Sequence, residues 1–304
     1  MALTQNLRSY AMYTVTLLSN PVAPCLTAEH VDTVRNPWGG SDVNWLADGE
    51  AAQFRIEGPP ETFAPMWGWL QDEGVDLIVA RTAQSQPKKL LIADMDSTMI
   101  GQECIDELAD FAGVGARVAD ITARAMNGEL DFPSALRERV GLLKGLSTNV
   151  IDTVFDERIT LASGGPVLLA TMKRRGAKAA LVSGGFTVFT SKVADALGFD
   201  FNRANILREA DGVLTGEVED PILGADAKVE ALTHYIAEMG IDAADVVAVG
   251  DGANDIPMLQ TAGLGVAVHA KPIVQKAWPF RVNHGDLTSL LFLQGIAKSE
   301  FTLA

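Results

Sequence analysis

The chain has 304 residues, 48% hydrophobic and 21% charged, a balance that fits folded globular units and excludes intrinsic disorder. Lysine and arginine number 24 against 39 aspartates and glutamates, and the net charge of −15 excludes a general attraction to nucleic acid or anionic membranes. The two cysteines, Cys25 and Cys104, make neither a disulfide framework nor by themselves a zinc site, which fits a reducing compartment. Residues 1–20 lack a basic start followed by an unbroken apolar core, so no signal peptide is expected. No apolar run approaches the ~20 residues that span a membrane. The expected address is cytoplasmic, and the expected partner is a small molecule.

Residues 1–85 are expected to form a separate unit. Met12 to Leu18 (MYTVTLL) reads as a strand, followed by a helix from about Thr27. Val43 to Leu46 and Ala51 to Ile56 read as a hairpin across Asp48-Gly49. Glu61 to Gln71 predicts a helix and Val75 to Ala80 a strand. The order β-α-β-β-α-β matches a ferredoxin-like sandwich, similar in element order alone to ACT-type regulatory domains. The polar stretch RTAQSQPKK (81–89) reads as a linker to a second unit, 86–304.

From Leu90 onward, short apolar strands alternate with helices. Leu90 to Ala93, Ala179 to Val182, Val246 to Val249 and Gly265 to Val268 lack polar alternation, as strands covered on both faces do. The expectation is an α/β fold with a doubly wound parallel sheet. A hairpin is expected around Asp211-Gly212. Between the first two strands lie four helical stretches: ECIDELADFAG, RVADITARAMNG, FPSALRERVGLLKG and NVIDTVFDERI. Gly113, Gly128 and Gly145 stand where helices would end. This insert, at about 104–162, is too long for one crossover and could form a helical cap over the strand ends.

In open α/β sheets, ligands bind beyond the carboxyl ends of the strands. The first strand ends in Asp94 and Asp96, two acids on one side of an extended segment. The second ends in Ser183-Gly184-Gly185, and the third in GDGANDIPML with Asp251, Asn254 and Asp255. Lys228 opens a helix just before that third strand. Crowded carboxylates repel, and burial raises the cost, so the pair needs a shared proton, a wholly solvated strand end or the charge of a cation. Mg²⁺, which favours oxygen ligands, would supply it. Taken singly, Asp94 also reads as a turn former, Ser183 as a turn start, and Lys228 as a solvated helix lysine.

Taken together, "DMDST", "VSGGF", Lys228 and "GDGANDIPML", with a helical insert after the first, resemble the haloacid dehalogenase superfamily. "DMDST…E", "LRERVGLLKGL" and "LVSGGFTVF" are similar to its phosphoserine phosphatases, over roughly residues 88–300. The resemblance implies Mg²⁺-dependent hydrolysis of O-phosphoserine through an aspartyl phosphate. It implies Asp94 as nucleophile, Asp96 as general acid and base, and Lys228 as a clamp on the phosphate. Asp94, Asp96 and Asp251 would hold the metal. Ser183, Gly184 and Asn254 would hold the phosphate or support its site. Glu103 and Arg139 would take the substrate ammonium and carboxylate. On spacing alone, Arg139 beside Arg137 and Glu138 reads as a charged helix face. Phe132 and Met126 read equally as cap lining or as core.

Rival readings share part of this pattern. A phosphotransferase would carry the same motifs. A dehalogenase would need neither Asp96 nor the metal acids. A phospho-aspartate switch of the receiver type is shorter and lacks both the paired acids and the cap. His30, His234, His269 and His284 form no cluster. For the N-terminal unit, the alternatives are a structural or dimerising module, which predicts a homodimer, and an amino-acid sensor.

Overall fold

The computed structural model describes residues 11–126 and 129–303. Gly128 and the Met126 side chain, both named above, lie outside the described residues.

The N-terminal part runs β1 (Met12–Ser19), α1 (Ala28–Arg35), β2 (Asn44–Ala47), β3 (Ala51–Glu57), α2 (Phe63–Asp72) and β4 (Val75–Arg81). The four strands form one antiparallel sheet in the order β2-β3-β1-β4. Strand periodicity sends Val15, Leu17, Ala52, Phe54 and Leu77 to one face, into a core shared with Val31 and Val34 of α1 and Leu70 of α2. His30 closes a capping box at the start of α1: its N–H donates to Thr27 Oγ1 and its Nδ1 accepts from the Thr27 N–H, each at 3.2 Å.

The opposite sheet face carries Leu18, Ala51 and Ile78, which join the large core of the rest of the chain. It packs on the helix Ser289–Leu293 near the end of the chain, as Gln53 shows by donating to the Phe292 carbonyl at 2.8 Å. Asp76, fully buried at the β4 entry, accepts the N–H groups of Asn283, His284 and Gly285 at 2.9–3.0 Å. The two parts are thus joined by a sheet face and by a buried carboxylate.

Beyond them come β5 (Leu90–Ala93), α3 (Cys104–Phe111), α4 (Gly115–Met126), α5 (Phe132–Gly141), α6 (Asn149–Arg158), α7 (Gly165–Arg174) and β6 (Lys178–Phe186). Then follow α8 (Thr187–Leu197), β7 (Phe201–Asn205), β8 (Leu207–Ala210), β9 (Val213–Val218), α9 (Ala225–Met239) and β10 (Val246–Gly250). The chain closes with α10 (Ile256–Thr261), β11 (Leu264–Val268), α11 (Pro272–Ala277), β12 (Arg281–Val282) and α12 (Ser289–Leu293). A six-stranded sheet has the order β12-β11-β10-β5-β6-β7, with every neighbouring pair parallel. From β5 the chain winds outward through β6 and β7, then returns to build the other half from β10. The winding reverses between β5 and β10, where a crevice opens at the carboxyl ends.

The four strands read from the sequence are all present, and the sheet adds β7 and β12 at its edges. Neither carries an apolar run: β7 reads FNRAN and β12 has two residues. The four inserted helices are α3 to α6. The β8–β9 hairpin turns at Asp211 (φ 53) and Gly212 (φ 77), positive at both positions as a type I′ turn requires. It packs against α5, and backbone bonds join Leu214 to Gly145 and Leu146, so the helical insert and the hairpin form one body over the crevice.

Candidate active site

Asp94 follows β5 directly, and its N–H donates to the Val249 carbonyl of β10 at 3.0 Å. That bond holds the ends of the two central strands level. Asp251 follows β10, and Asp255 lies four residues on. Lys228, in the first turns of α9, reaches under them: its Nζ is 2.8 Å from Asp94 Oδ2 and 2.5 Å from Asp255 Oδ1. Asp255 Oδ2 accepts the N–H groups of Asp251 at 3.1 Å and Gly252 at 2.9 Å. A Cβ on Gly250 would collide with the Asp255 carboxyl, so only glycine lets the loop fold this closely.

One cavity of about 210 Å³ collects the candidate residues. Asp94, Asp96, Glu103, Arg139, Ser183, Gly184, Asp251 and Asn254 all line it, with Phe132 and Lys271. Lys228 lies just beneath, through Asp94. Of the charged α5 residues, Arg137 and Glu138 pair on the surface with Asp220 and Arg124. Arg139 instead turns inward, bonding its Nε to the Ala135 carbonyl at 3.3 Å, and makes no ion pair among the described residues. Phe132, at the start of α5, lies against Gly184: a Cβ there would stand 3.1 Å from its ring. Asn205 of β7, 1% exposed, donates to the carbonyls of Gly184 and Leu223 and braces both segments beneath Phe132.

The carboxylate oxygens that gather within 4.8 Å of one another belong to Asp94, Asp251 and Asp255, all buried. The Asp96 side chain, counted with the metal acids from the sequence, is not in this group. Its Oδ1 accepts the Cys104 N–H at 3.3 Å, and its Oδ2 points toward Gly185, where a Cβ would stand 2.9 Å away. Asp255 stands in the group instead, its Oδ1 on Lys228 and its Oδ2 on the N–H groups of Asp251 and Gly252. Thr98 Oγ1 donates to Asp251 Oδ1 at 2.9 Å and orients that acid. Three buried carboxylates, all oxygen donors, fit a hard divalent cation. Among these residues a cation would offset the crowded negative charge.

Electrostatics separates the roles. Burial pushes Asp94 well above the ordinary carboxylate range, Asp255 adds to the shift, and the Lys228 ammonium opposes it. Burial alone would lower Lys228, but Asp94 and Asp255 outweigh it and hold its pKa above the usual value. Asp96 is raised to about 7 by burial and by Glu103. Asp251 is raised chiefly by burial, with Lys271 and Thr98 opposing. Arg139 is lowered by burial, against the pull of Asp106, Glu103 and Asp96. The arrangement suits attack by one carboxylate while a neighbouring acid that exchanges protons near neutrality serves the leaving group.

Sequence reasoning missed Asn205, whose signal is a polar residue ending a strand, and Lys271, in a loop with no carboxylate spacing.

Residues 91–260 match the family model for haloacid dehalogenase-like hydrolases. A phosphoserine phosphatase from Polaromonas sp. is 46% identical over 210 residues, covering 67% of this chain and 89% of that protein. One from Streptomyces coelicolor is 43% identical over 232 residues, covering 76% of this chain; the chain spans 56% of that relative's length. A solved phospho-aspartyl intermediate analogue of a phosphoserine phosphatase superposes with a TM-score of 0.63 at 42% identity, covering 68% of this chain and 99% of that one. With six parallel strands in doubly wound order, an aspartate at the end of the central strand and this family match over more than half its length, the chain belongs to the haloacid dehalogenase-like hydrolases.

Proposed function

We propose that the chain is a Mg²⁺-dependent phosphoserine phosphatase. The observation that carries this reading is the single cavity in which Asp94 and Asp96 face Arg139 and Glu103. Phosphoserine offers a phosphate at one end and an ammonium and a carboxylate at the other, and the cavity lining holds a group suited to each. The relatives are phosphoserine phosphatases, and the intermediate analogue in one of them matches the chemistry assigned to Asp94.

In the first step a carboxylate oxygen of Asp94 forms a bond to phosphorus as the bond to the serine oxygen breaks. Asp96 gives its proton to that oxygen, because an alkoxide leaves poorly without one. In the second step Asp96 takes a proton from water, whose oxygen attacks the aspartyl phosphate. The phosphorus–Asp94 bond breaks, and inorganic phosphate and the free carboxylate result. Lys228 holds Asp94 in place and offsets the charge that gathers on the phosphoryl oxygens. Ser183, the Gly184 backbone and Asn254 hold those oxygens. Mg²⁺ held among Asp94, Asp96 and Asp251, with Asp255 beside them, would supply further charge neutralisation. Arg139 offers a planar fork to the substrate carboxylate, and Glu103 takes the ammonium. Phe132 and the rest of the insert act as a cap that excludes stray water. The product is serine, so the reaction fits the last step of serine biosynthesis in the cytoplasm.

The same reading divides the chain into an ACT-type domain at 1–85 and a catalytic domain at 86–304, with a cap at about 104–162. The helix-free sheet face is covered by α12, so a homodimer through the first domain would use its helix layer or the β2 edge. A phosphate-release screen over phosphorylated metabolites, with and without Mg²⁺, tests the activity. Phosphoserine should stand out, and only with the metal. Phosphate appearing on an added hydroxyl acceptor instead of in solution would favour a phosphotransferase.

A further inference from the structure

Among the described residues, three non-glycine residues have a positive φ: Ser97 (54°), Asp211 (53°) and His269 (47°). Asp211 belongs to the hairpin turn. The other two stand next to or near residues that line the cavity, Ser97 after Asp96 and His269 two positions before Lys271. Side chains with a Cβ rarely adopt this conformation, and such strain persists where the surroundings impose it, often at functional sites.

Ser97 Oγ donates to Glu103 Oε1 at 2.9 Å. His269, just past β11, turns the chain toward the cavity. Two residues later the Lys271 N–H donates to the Asp251 carbonyl at 3.0 Å, and Pro272 then starts α11. The Lys271 ammonium lies 3.1 Å from Glu103 Oε1 and 3.3 Å from Asp251 Oδ2. The Lys271 side chain is 48% exposed and that of Asp251 4%, so the ammonium joins a buried acid to the more open Glu103. Burial lowers the Lys271 pKa, but Glu103 and Asp251 outweigh it and hold the group charged.

Glu103 is 39% exposed in its side chain and by itself would sample several rotamers. Ser97 and Lys271 fix it, and among the described residues both of its hydrogen bonds fall on Oε1. A lysine beside an acid meant for an ammonium looks self-defeating. Two facts argue otherwise. Glu103 keeps Oε2 for a ligand. The site also gathers five carboxylates, Asp94, Asp96, Glu103, Asp251 and Asp255, against Lys228, Arg139 and Lys271, so a phosphate dianion enters more readily with the third cation present.

We propose that Lys271 is a positioning residue for amine recognition: with Ser97 it holds Glu103 so that Oε2 meets the substrate ammonium, and it ties that carboxylate to Asp251. This inference rests on the reading of the substrate as an amine-bearing phosphate ester. The test is steady-state kinetics of Lys271→Met, Lys271→Arg and Ser97→Ala on phosphoserine and on p-nitrophenyl phosphate, which has no amine. Lys271→Met should raise KM for phosphoserine about tenfold more than KM for p-nitrophenyl phosphate, mainly in KM rather than kcat. Lys271→Arg should recover most of the difference, and Ser97→Ala should show a smaller effect of the same kind. In a Glu103→Gln background, Lys271→Met should cause little further loss of discrimination. Equal losses on both substrates, or a full additional loss in the Glu103→Gln background, would overturn the assignment. Wild-type turnover of phosphoserine checks the activity itself. If another amine-bearing ester is turned over instead, the same cycle run on that ester tests Lys271, so the two ideas fail separately.

Discussion

Lys228 and Asp94 form an ion pair at 2.8 Å in which the lysine side chain is 1% exposed and the aspartate 9%. The same ammonium also bonds Asp255. Removing it would leave two buried carboxylates facing each other. Breaking a buried pair by deleting one partner costs about 3–5 kcal/mol. Lys228→Met should therefore lower the melting temperature strongly and abolish turnover. Added Mg²⁺ should restore part of the stability, because it supplies cationic charge to the same acids, while activity stays absent. Thermal melts and phosphate release read both. A variant that melts like wild type without Mg²⁺ would show that the acids are not held by this lysine.

Asp94→Asn separates chemistry from packing. The carboxamide keeps the shape and can still accept the Met95 N–H that Asp94 Oδ1 accepts at 2.8 Å. It is a poor nucleophile toward phosphorus. The variant should fold, melt close to wild type and release no phosphate. Wild-type-like turnover, after mass spectrometry has excluded deamidation back to aspartate, would remove Asp94 from its role.

The metal reading makes a graded prediction. Asp251→Ala removes a direct oxygen ligand and should weaken Mg²⁺ binding and activity together. Thr98→Val keeps the shape but deletes the 2.9 Å bond to Asp251 Oδ1. Loss of such an orienting partner typically costs ~10–100-fold in metal affinity. Titration calorimetry should rank wild type, Thr98→Val and Asp251→Ala in falling affinity. Unchanged affinity in Asp251→Ala would mean the cation is held elsewhere.

Much of this was legible in the chain because the signals were local. Apolar runs without polar alternation marked β5, β6, β10 and β11, and Asp211-Gly212 marked the hairpin turn. The acids and glycines at the strand ends marked the rim, since the doubly wound topology forces those ends together. What escaped depends on tertiary approach. The contacts of the Asp96 side chain, with the Cys104 N–H and beside Gly185, come from the chain leaving extended geometry after β5, which the i and i+2 spacing does not convey. Lys271 is recruited by a left-handed residue two positions earlier, and no spacing rule anticipates that. Asp76 reads as one polar residue inside an apolar strand, and its backbone partners lie more than two hundred positions away.

Asp76 leads to a prediction about how the two parts hold together. Its carboxylate accepts three consecutive backbone N–H groups, and Gln71 Nε2 at 3.1 Å. Deleting it strands buried donors, at about 1–3 kcal/mol per unsatisfied group. Asp76→Ala should lower the melting temperature by several degrees and raise amide exchange at residues 283–285 and in β4. Turnover at low temperature should change little, since the cavity is built from other strands. Unchanged exchange at residues 283–285 would show that this carboxylate is not what secures the junction.

Arg139 tests the identity of the substrate. It lines the cavity without an ion-pair partner among the described residues, although Glu103, Asp106 and Asp96 all act on it electrostatically. A guanidinium held that way is ready for an incoming carboxylate. Phosphoserine has one, and p-nitrophenyl phosphate does not. A hydrogen bond to a charged group contributes about 1.5–3 kcal/mol, and a planar fork can make two. At ~1.4 kcal/mol per tenfold, Arg139→Ala should lower kcat/KM for phosphoserine by roughly tenfold to several hundredfold. The loss on p-nitrophenyl phosphate should be much smaller. Arg139→Lys should rescue only part of the loss, since an ammonium keeps the charge but lacks the planar fork. Kinetics on both substrates decides between the roles. Equal losses would mean that Arg139 shapes the cap or the phosphate site in general. No loss on either would return it to the charged helix face that its neighbours Arg137 and Glu138 form, and would remove the main reason for preferring phosphoserine over other phosphate esters.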